Sequence, residues 1–538
     1  MSYDAILIHP PAIYDFREKA VFPGPIGYTV SAGSGQFIMP SVGSLSIAEY
    51  LDRHGYKARV DNIGERMLTI PGFDVEGYIG KLSAKVFAIE LHWCVHSQGA
   101  IEIARLCKRL HPEALVVLGG LTATVFAEEA VEKYDFVDGV LRGEAEKPFL
   151  ALMRALGKTP GLESVPNLTY RDAEGAVRSN PLMTPDSDLD DYEFTRLDFL
   201  DPKGAVFPPG VLPSWVVPIA RGCLHNCVSC GGSAYSYRAH LGRQRPAFRS
   251  PEKIIKDLRK LSKQGIQLVF LFQDPRMGGK AYWRKLLAAL QNENIQLRQL
   301  TMELFGPADE EFISELAKIN IPVRLSISPE SGVDTVRGAH GRKYNNAGIY
   351  KTIDLCKQYG IALGSFSMIA LANDTEETIQ QTWKSWEQIC TLNINGQAPV
   401  DYAFGPMILL DPGSLAFDRA LSYGYRPVFK TLEDYIAGMS LPAWHQWISY
   451  ETKFLNREAI AKLTVDSLEY SINLRERVGF YSQADARTAR FCFVEAGRQT
   501  IEVVNEAMQL EDEQERQQKL KDFSEYLDAR LYQLNQSA

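Results

Sequence analysis

The sequence predicts an α/β chain in three parts: a doubly wound N-terminal domain, a partial (β/α)6 barrel and a helical C-terminal domain. Three observations predict it. Short apolar runs alternate with helical patterns at α/β spacing over the first ~155 residues. A second alternating series starts at Trp215 and holds six strand-like runs with five intervening helices, too few for a closed eightfold barrel. From about residue 420 onward only helical periodicity remains.

In the first part, 5–8 is a strand and 43–54 a helix stopped by Gly55. Strands at 57–63 and 86–91 follow, then an amphipathic helix at 98–110, a strand at 115–118, a short fifth at 140–141 and a helix at 146–156. The third and fourth strands start about 30 residues apart, one βαβ unit. Such a five-stranded sheet binds ligands at the carboxyl ends of its strands. Residues 157–212 read differently. PNLTYRDAEGAVRSNP gives two short strands around an Asp-Ala-Glu-Gly turn, and the Pro- and Asp-rich PLMTPDSDLDDYE reads as a linker. The second series places strands at 215–220, 267–272, 298–304, 322–328, 362–368 and 400–409, with helices at 251–264, 281–292, 308–318, 345–359 and 374–390. Pro218 lies inside the first of these strands, which requires a sheet edge, and an open barrel supplies one. The expected domains are therefore 1–156, 157–212, 213–420 and 421–538. The final EDEQERQQKLKDFSEYLDARL reads as a solvated charged helix.

Composition narrows the function classes. Of 538 residues, 45% are apolar and 23% charged, which excludes a disordered chain, a collagen-like repeat and a disulfide-stapled mini-protein. The net charge of −8 gives no global attraction to nucleic acid or an anionic membrane, so neither is an expected partner. No apolar run approaches the ~18–20 residues of a membrane span. MSYDAILIHPP lacks a basic region followed by an apolar core and is expected to be the first strand rather than a signal peptide. A cytoplasmic location follows, with the eight cysteines as reduced thiols or ligands.

The strongest chemical signal is RGCLHNCVSCGGS, which sets Cys223, Cys227 and Cys230 in a C-x3-C-x2-C spacing directly after the first barrel strand. Three thiols within eight residues point to a metal or cluster site. Zinc would want a fourth protein ligand, for which His225 is the nearby candidate. An iron–sulfur cluster held by three thiolates would leave one iron open to an exogenous ligand. Cys94, Cys107, Cys356, Cys390 and Cys492 are scattered singly and read as small core residues.

This loop resembles that of the radical SAM superfamily. The resemblance implies that Cys223, Cys227 and Cys230 hold a [4Fe-4S] cluster whose fourth iron is chelated by S-adenosylmethionine (SAM). Ser229 stands where the family often has an aromatic residue. RLSISPESGVDTVRGAHGR resembles the fourth-strand segment of the methylthiotransferase-like branch and nominates Ser328 and Glu330 near the SAM ribose and methionine, with Arg342 as partner of its carboxylate. ALGSFSMIALANDTEET resembles the fifth-strand segment, which implies a backbone contact to adenine around Met368 to Ala370. Ala370, Ala372 and Asn373 replace that segment's usual glycines and proline. Gln273, Asp274 and Glu303 end strands facing the same mouth and join the SAM candidates.

The N-terminal domain resembles the Rossmann-like cobalamin-binding domain that precedes many radical SAM barrels, through ILIHPP, ELHWCVHSQGA, VVLGGLTAT and LRGEAEKP. The implied cobalamin contacts are His9, Pro10, His92, Trp93, Gly119, Gly120, Thr122, Gly143 and Glu144. Glycines 119, 120 and 143 are expected to let backbone approach the flat macrocycle, and Thr122 and Thr124 to bond corrin amides or the nucleotide tail. The Asp-x-His-x-x-Gly motif of methionine-synthase-like domains is missing from the first 155 residues. Cobalt is thus expected to carry water or nothing on its lower face. A nucleotide-binding or structural module is the other reading, but neither G-x-G-x-x-G after the first strand nor a P-loop motif is present. The stretch with Trp444, His445, Trp447 and Tyr450 reads as core of the helical cap, or else as walls of a substrate pocket.

The resemblance covers nearly the whole chain, LPAWHQWISYETKF included, and implies a cobalamin-dependent radical SAM enzyme. In that mechanism one SAM methylates cob(I)alamin, a second yields a 5′-deoxyadenosyl radical, and a substrate radical at an unactivated carbon takes the methyl group. Ring formation or rearrangement without net methylation is the alternative, and a non-catalytic cobalamin or redox sensor a further one. The implied partners are a small-molecule substrate and an external one-electron reductant of the flavodoxin or ferredoxin type.

Overall fold

The structure is a computed structural model that describes residues 2–24, 42–159, 161–201, 212–392, 400–406 and 409–536. Strands β1 (Tyr3–His9), β2 (Ala58–Asn62), β3 (Ala84–Glu90), β4 (Leu115–Gly119) and β5 (Gly139–Leu141) are parallel and lie in the order β5-β4-β3-β1-β2. Ala5 and Leu7 of β1 enter the core on one face and Ile6 and Ile8 that on the other. Helices cover both faces, which is why this strand reads as a continuous apolar run. The chain leaves β1 for β2 on one side and returns to β3 on the other. The crevice between the carboxyl ends of β1 and β3 is therefore the switch point of the sheet.

The sheet has eight strands rather than the predicted five. The hairpin β6 (Leu168–Arg171) and β7 (Val177–Ser179) pairs antiparallel onto β5, and β8 (Leu200–Asp201) adds beside β2. The stretch read as hairpin and linker thus covers both edges of the first sheet, which would otherwise present unpaired backbone groups. Part of that stretch, residue 160 and 202–211, lies outside the described residues.

The second sheet begins with β9 (Ser214–Pro218). A small pair, β10 (Ala220–Arg221) and β11 (Ala247–Phe248), follows. Then come β12 (Leu268–Phe272), β13 (Gln299–Leu304), β14 (Val323–Glu330), β15 (Ala362–Ile369) and β16 (Val400–Pro406). All six long strands are parallel, in the order β16-β15-β14-β13-β12-β9. Pro218 ends the edge strand β9, as its missing N–H requires. Leu300, Met302 and Leu304 are buried under the helices, while Gln299, Thr301 and Glu303 lie half-buried on the concave face. The helix Pro251–Lys263 starts where Ser250 accepts from the Lys253 amide and proline occupies the first turn. The predicted last strand, 400–409, runs partly over 407–408, outside the described residues.

The C-terminal part is not helical from residue 420. It opens with an antiparallel pair, β17 (Tyr425–Pro427) and β18 (Tyr450–Thr452). Tyr450 donates its hydroxyl to the Ala370 carbonyl (3.0 Å) and Tyr425 accepts from the Ala372 amide (3.1 Å), so the pair is anchored to the end of β15. Helices Arg457–Arg477, Gln483–Ala489, Ala496–Ala507 and Glu513–Gln536 complete the chain. Trp444, Trp447 and Tyr450 are fully buried, so they are core and not pocket wall. No described helix is long and apolar enough to cross a membrane.

One core joins the parts. Ala12, Ile13 and Val95 from the carboxyl-end loops of the first sheet pack with Val228 of the cysteine loop, Ile369 at the end of β15 and Trp444 of the cap. The crevice between β1 and β3 thereby faces the mouth of the barrel.

Candidate active site

The cysteine loop leaves β10 and runs to the helix Ala234–His240, capped by Ser233. Its backbone points at its own sulfurs: His225 N–H donates to Cys223 Sγ and Gly232 N–H to Cys230 Sγ, both at 3.3 Å. Such bonds stabilise thiolate, against burial, which pushes the Cys227 thiol up to about 11. Among the described residues no three His, Cys, Asp or Glu side chains converge on one metal ion. The three thiols suit a larger group that each reaches at a different iron. His225 turns its ring edge-on to Phe305 (5.6 Å). The loop is held from outside by Gly231 N–H donating to Asp411 (2.9 Å) and Val228 N–H to the His340 carbonyl (3.0 Å). Gly341 makes that approach possible, because a Cβ there would lie 2.5 Å from the Asn226 carbonyl oxygen and its φ is +101°.

Three strand ends at the barrel mouth carry left-handed backbone at residues other than glycine: Gln273 (φ 84°) after β12, Glu330 (68°) ending β14 and Ala370 (68°) after β15. Backbone of this kind costs of order 1–3 kcal/mol per residue and gathers at functional sites. Gln273 N–H donates to Glu303 Oε2 (2.7 Å), which joins two predicted SAM residues. Burial raises the Glu303 carboxyl to about 7. Glu330 and Arg342, predicted to receive different parts of SAM, are each other's partner at 3.0 Å, and both are buried. Arg342 also donates to the Phe305 carbonyl (3.1 Å). Three buried polar atoms nevertheless stay without a partner: Gln273 Oε1, Glu330 Oε2 and Arg342 Nε. Two acceptors and a donor suit the amino, hydroxyl and carboxylate groups of SAM. Ser328 and Met368 lie on the concave faces of β14 and β15, half-buried. Asp274 turns away from the mouth, where its carboxylate binds Arg276 and accepts from the Phe305 amide (2.8 Å).

At the crevice of the first sheet, His9 ends β1 and Glu90 ends β3, with Nδ1 3.4 Å from Oε2. Ser44 donates to the same oxygen (3.0 Å) and His96 meets the His9 ring at 5.1 Å. Burial raises the Glu90 carboxyl, but the charge and hydrogen bond of His9 outweigh it and hold the group at about 2. Pro10, His92 and Trp93 flank this set, the last two in edge contact at 4.8 Å. A buried polar crevice at the switch point, lined by imidazole, indole and carboxylate, fits the polar fringe of a corrin.

Several predicted cobalamin contacts are used otherwise. Gly120 has φ 113°, and a Cβ there would lie 2.6 Å from His92 Cα, so its bareness serves packing between two loops. Thr122 donates its hydroxyl to the His92 carbonyl (3.0 Å). Thr124 donates to the Gly120 carbonyl (2.8 Å) and accepts from Gly143 N–H (2.9 Å). Both hydroxyls are thereby bonded to the loops at the carboxyl end of the sheet. Gly119 ends β4 and stays at the crevice edge, whereas Gly143 sits against Leu241 of the barrel. Glu144 points to the barrel: its carboxylate pairs with Arg243 (2.6 Å) and Arg221 (3.2 Å). Glu146 takes the same Arg221 and accepts from Ser46 (2.7 Å). LRGEAEKP therefore ties the first sheet to the strand that enters the cysteine loop.

Sequence reasoning missed Glu90, Asp411 and His340 as parts of the site. Glu90 was within reach, because it closes an apolar strand directly before the histidine-rich exit ELHWCVH. Asp411 lies 180 residues from the loop it holds, and no local pattern marks it.

Comparison with known proteins accords with this geometry. Residues 217–384 match the radical SAM superfamily and residues 28–153 the B12 binding domain. An uncharacterised methyltransferase of Pyrococcus horikoshii is 24% identical over 60% of this chain and 66% of its own length. An anaerobic magnesium-protoporphyrin IX monomethyl ester cyclase of Cereibacter sphaeroides is 22% identical over 64% of this chain and 55% of its own length. The chain thus spans less than two thirds of these curated relatives. Two solved structures share the fold. The radical SAM methyltransferase TsrM of Kitasatospora setae, with cobalamin and a [4Fe-4S] cluster, gives a TM-score of 0.59 at 14% identity, over 93% of this chain and 100% of that one. The cobalamin-dependent radical enzyme OxsB, with aqua-cobalamin and SAM, gives 0.60 at 12% identity, over 98% and 84%.

Proposed function

We propose that this chain, a cobalamin-dependent radical SAM enzyme, methylates an unactivated carbon of a small molecule. Its cofactors are a [4Fe-4S] cluster, S-adenosylmethionine and cobalamin. The observation that carries the reading is the shared core, which turns the crevice of the first sheet toward the barrel mouth. A methyl donor in one and a radical source in the other would then meet the same substrate.

Cys223, Cys227 and Cys230 would hold the cluster. Gln273, Glu303, Ser328, Glu330, Arg342 and Met368 would hold SAM. His9, Pro10, His92, Trp93 and Gly119 would face cobalamin. When bound, these groups supply a carbon-centred radical and a transferable methyl group. The chain's residues do the positioning. Arg342 Nε offers a charged donor to a carboxylate, while Glu330 Oε2 and Gln273 Oε1 accept from ammonium or hydroxyl. Burial raises the Glu330 carboxyl above its ordinary value, and the charge and hydrogen bond of Arg342 oppose that rise. Val228 and Ile369, packed behind the mouth, exclude water from it. The Glu144–Arg221–Glu146 bridge sets the spacing between the two cofactor sites.

A second reading, ring formation without net methylation, is favoured by the cyclase relatives. An external flavodoxin or ferredoxin would supply electrons, in the cytoplasm.

The test is product analysis of anaerobically reconstituted protein given methyl-deuterated SAM, cobalamin and a strong reductant. Methyl transfer requires both 5′-deoxyadenosine and S-adenosylhomocysteine, with label in methylcobalamin. Deoxyadenosine without S-adenosylhomocysteine would move the assignment to cyclisation.

A further inference from the structure

We propose that Arg324, inside the barrel, receives an oxyanion of the substrate, so that the substrate is an apolar, aromatic-sized acid. The proposal rests on the barrel being the site of substrate chemistry and adds a substrate class to that reading.

β14 alternates: Leu325 and Ile327 are buried under the helices, whereas Arg324, Ser326 and Ser328 lie half-buried on the concave face. The register sets Arg324 beside Thr301 on one side and Ala362 on the other, and Ser326 beside Glu303 and Gly364. Among the described residues the Arg324 guanidinium has no hydrogen bond, ion pair or aromatic ring beneath it. This sets it apart from Arg249, Arg276, Arg337 and Arg342 of the same barrel, each of which has a carboxylate partner. The side chain extends forward along the face, because a Cβ on Gly364 would lie 3.0 Å from its Nη2. Glycine at 364 leaves the space that the guanidinium takes. Asp401 occupies the register position next to Gly364 on β16. Glu303 is the nearest described acid in register, two positions on from Thr301 on β13, and no ion pair joins it to Arg324.

An arginine held inside a fold without a counter-charge is costly unless solvent or a ligand meets it. A planar fork of N–H groups selects carboxylate or phosphate. The neighbouring wall fits an apolar body: Phe270 lies on the same face of β12, and Phe272, 43% exposed, meets it at 5.9 Å. Phe366 extends along the same face against Gly405. The hydroxyl of Ser326 is also without a hydrogen bond among the described residues. Arg324 lies four residues, about 13 Å along the strand, from Ser328. Its forward reach to Gly364 shortens that gap to roughly 7 Å, the length of a fused aromatic acid.

The experiment measures binding of 2-naphthoate, 2-naphthyl phosphate and neutral 2-naphthamide to the full cluster-reconstituted chain, by calorimetry, for wild type, R324Q and R324K. Wild type should bind one of the anions at least tenfold tighter than the amide, and the tighter anion names the oxyanion. R324Q should erase that preference and R324K retain part of it, while iron content and SAM binding stay at wild-type levels. No saturable anion binding, equal affinity for anion and amide, or a preference that survives R324Q would each overturn the proposal. Binding needs no turnover, so a failure here is distinct from a failure of methyl transfer, which S-adenosylhomocysteine reports separately.

Discussion

Two carboxylates end strands in this molecule under similar enclosure and behave in opposite ways. Glu90, closing β3 of the first sheet, has His9 and Ser44 on one oxygen and is held at about 2. Glu303, on β13 of the barrel, has one backbone N–H and is pushed to about 7. The contrast extends to the surroundings. Thr122, Thr124 and Glu144 at the first sheet's edge are all satisfied by protein. The barrel mouth keeps three orphaned buried atoms and three left-handed residues. At the first edge the two hydroxyls and Glu144 already have protein partners, although Glu65 Oε1, just beyond β2, has none. The barrel mouth is incomplete and is finished by its ligand.

The largest break of this contrast is at the cysteines. Cys227→Ala should abolish cluster assembly and deoxyadenosine formation, read as iron content and product. Cys94→Ala, at a buried single cysteine, should leave both at wild-type levels and cost about 1 kcal/mol of stability. Next comes the ion pair of the mouth. Arg342→Met strands Glu330 in a buried site and should cost about 3–5 kcal/mol in thermal or denaturant unfolding, whereas Glu330→Gln should cost less.

The first sheet's edge is predicted to respond more mildly. Glu90→Gln should cost about 1–3 kcal/mol at neutral pH. Its folded value lies below the ordinary 4.5, so the stabilisation is complete above 4.5 and is lost as pH falls through about 2. Acid titration followed by tryptophan fluorescence should show the variant less acid-dependent there. Glu303 has the opposite sign. Its folded value is raised, the unfolded chain releases its proton first, and stability falls as pH rises from 4.5 through about 7. Glu303→Gln should remove that fall. The smallest effect belongs to Thr122→Val, about 1 kcal/mol, with cobalamin uptake unchanged because the hydroxyl already serves His92.

Much of this was legible in the chain. Periodicity located every long strand of both sheets to within a few residues, and Pro218 alone marked the barrel's edge. The cysteine spacing needed no structure. What escaped depends on partners remote in sequence. Nothing in LRGEAEKP says that Glu144 belongs to Arg243, 99 residues on, and a glycine count cannot distinguish Gly120, bare to admit a neighbouring loop, from glycine bare for a ligand. Left-handed backbone at Gln273, Glu330 and Ala370 leaves no mark, because none of them is glycine. Arg324 was readable, since VRLSIS alternates and sets an arginine on the polar face.

The central claim is that SAM completes the barrel mouth, whereas Thr122, Thr124 and Glu144 at the first sheet's edge already have protein partners. Calorimetric titration of SAM into cluster-reconstituted wild type and Glu330→Gln tests it most directly, with cobalamin uptake measured alongside. The variant should lose about tenfold or more in SAM affinity, as expected for removal of a charged hydrogen-bond acceptor, and keep its cobalamin uptake. Equal SAM affinity in the two proteins, or a loss of cobalamin uptake in its place, would contradict the account.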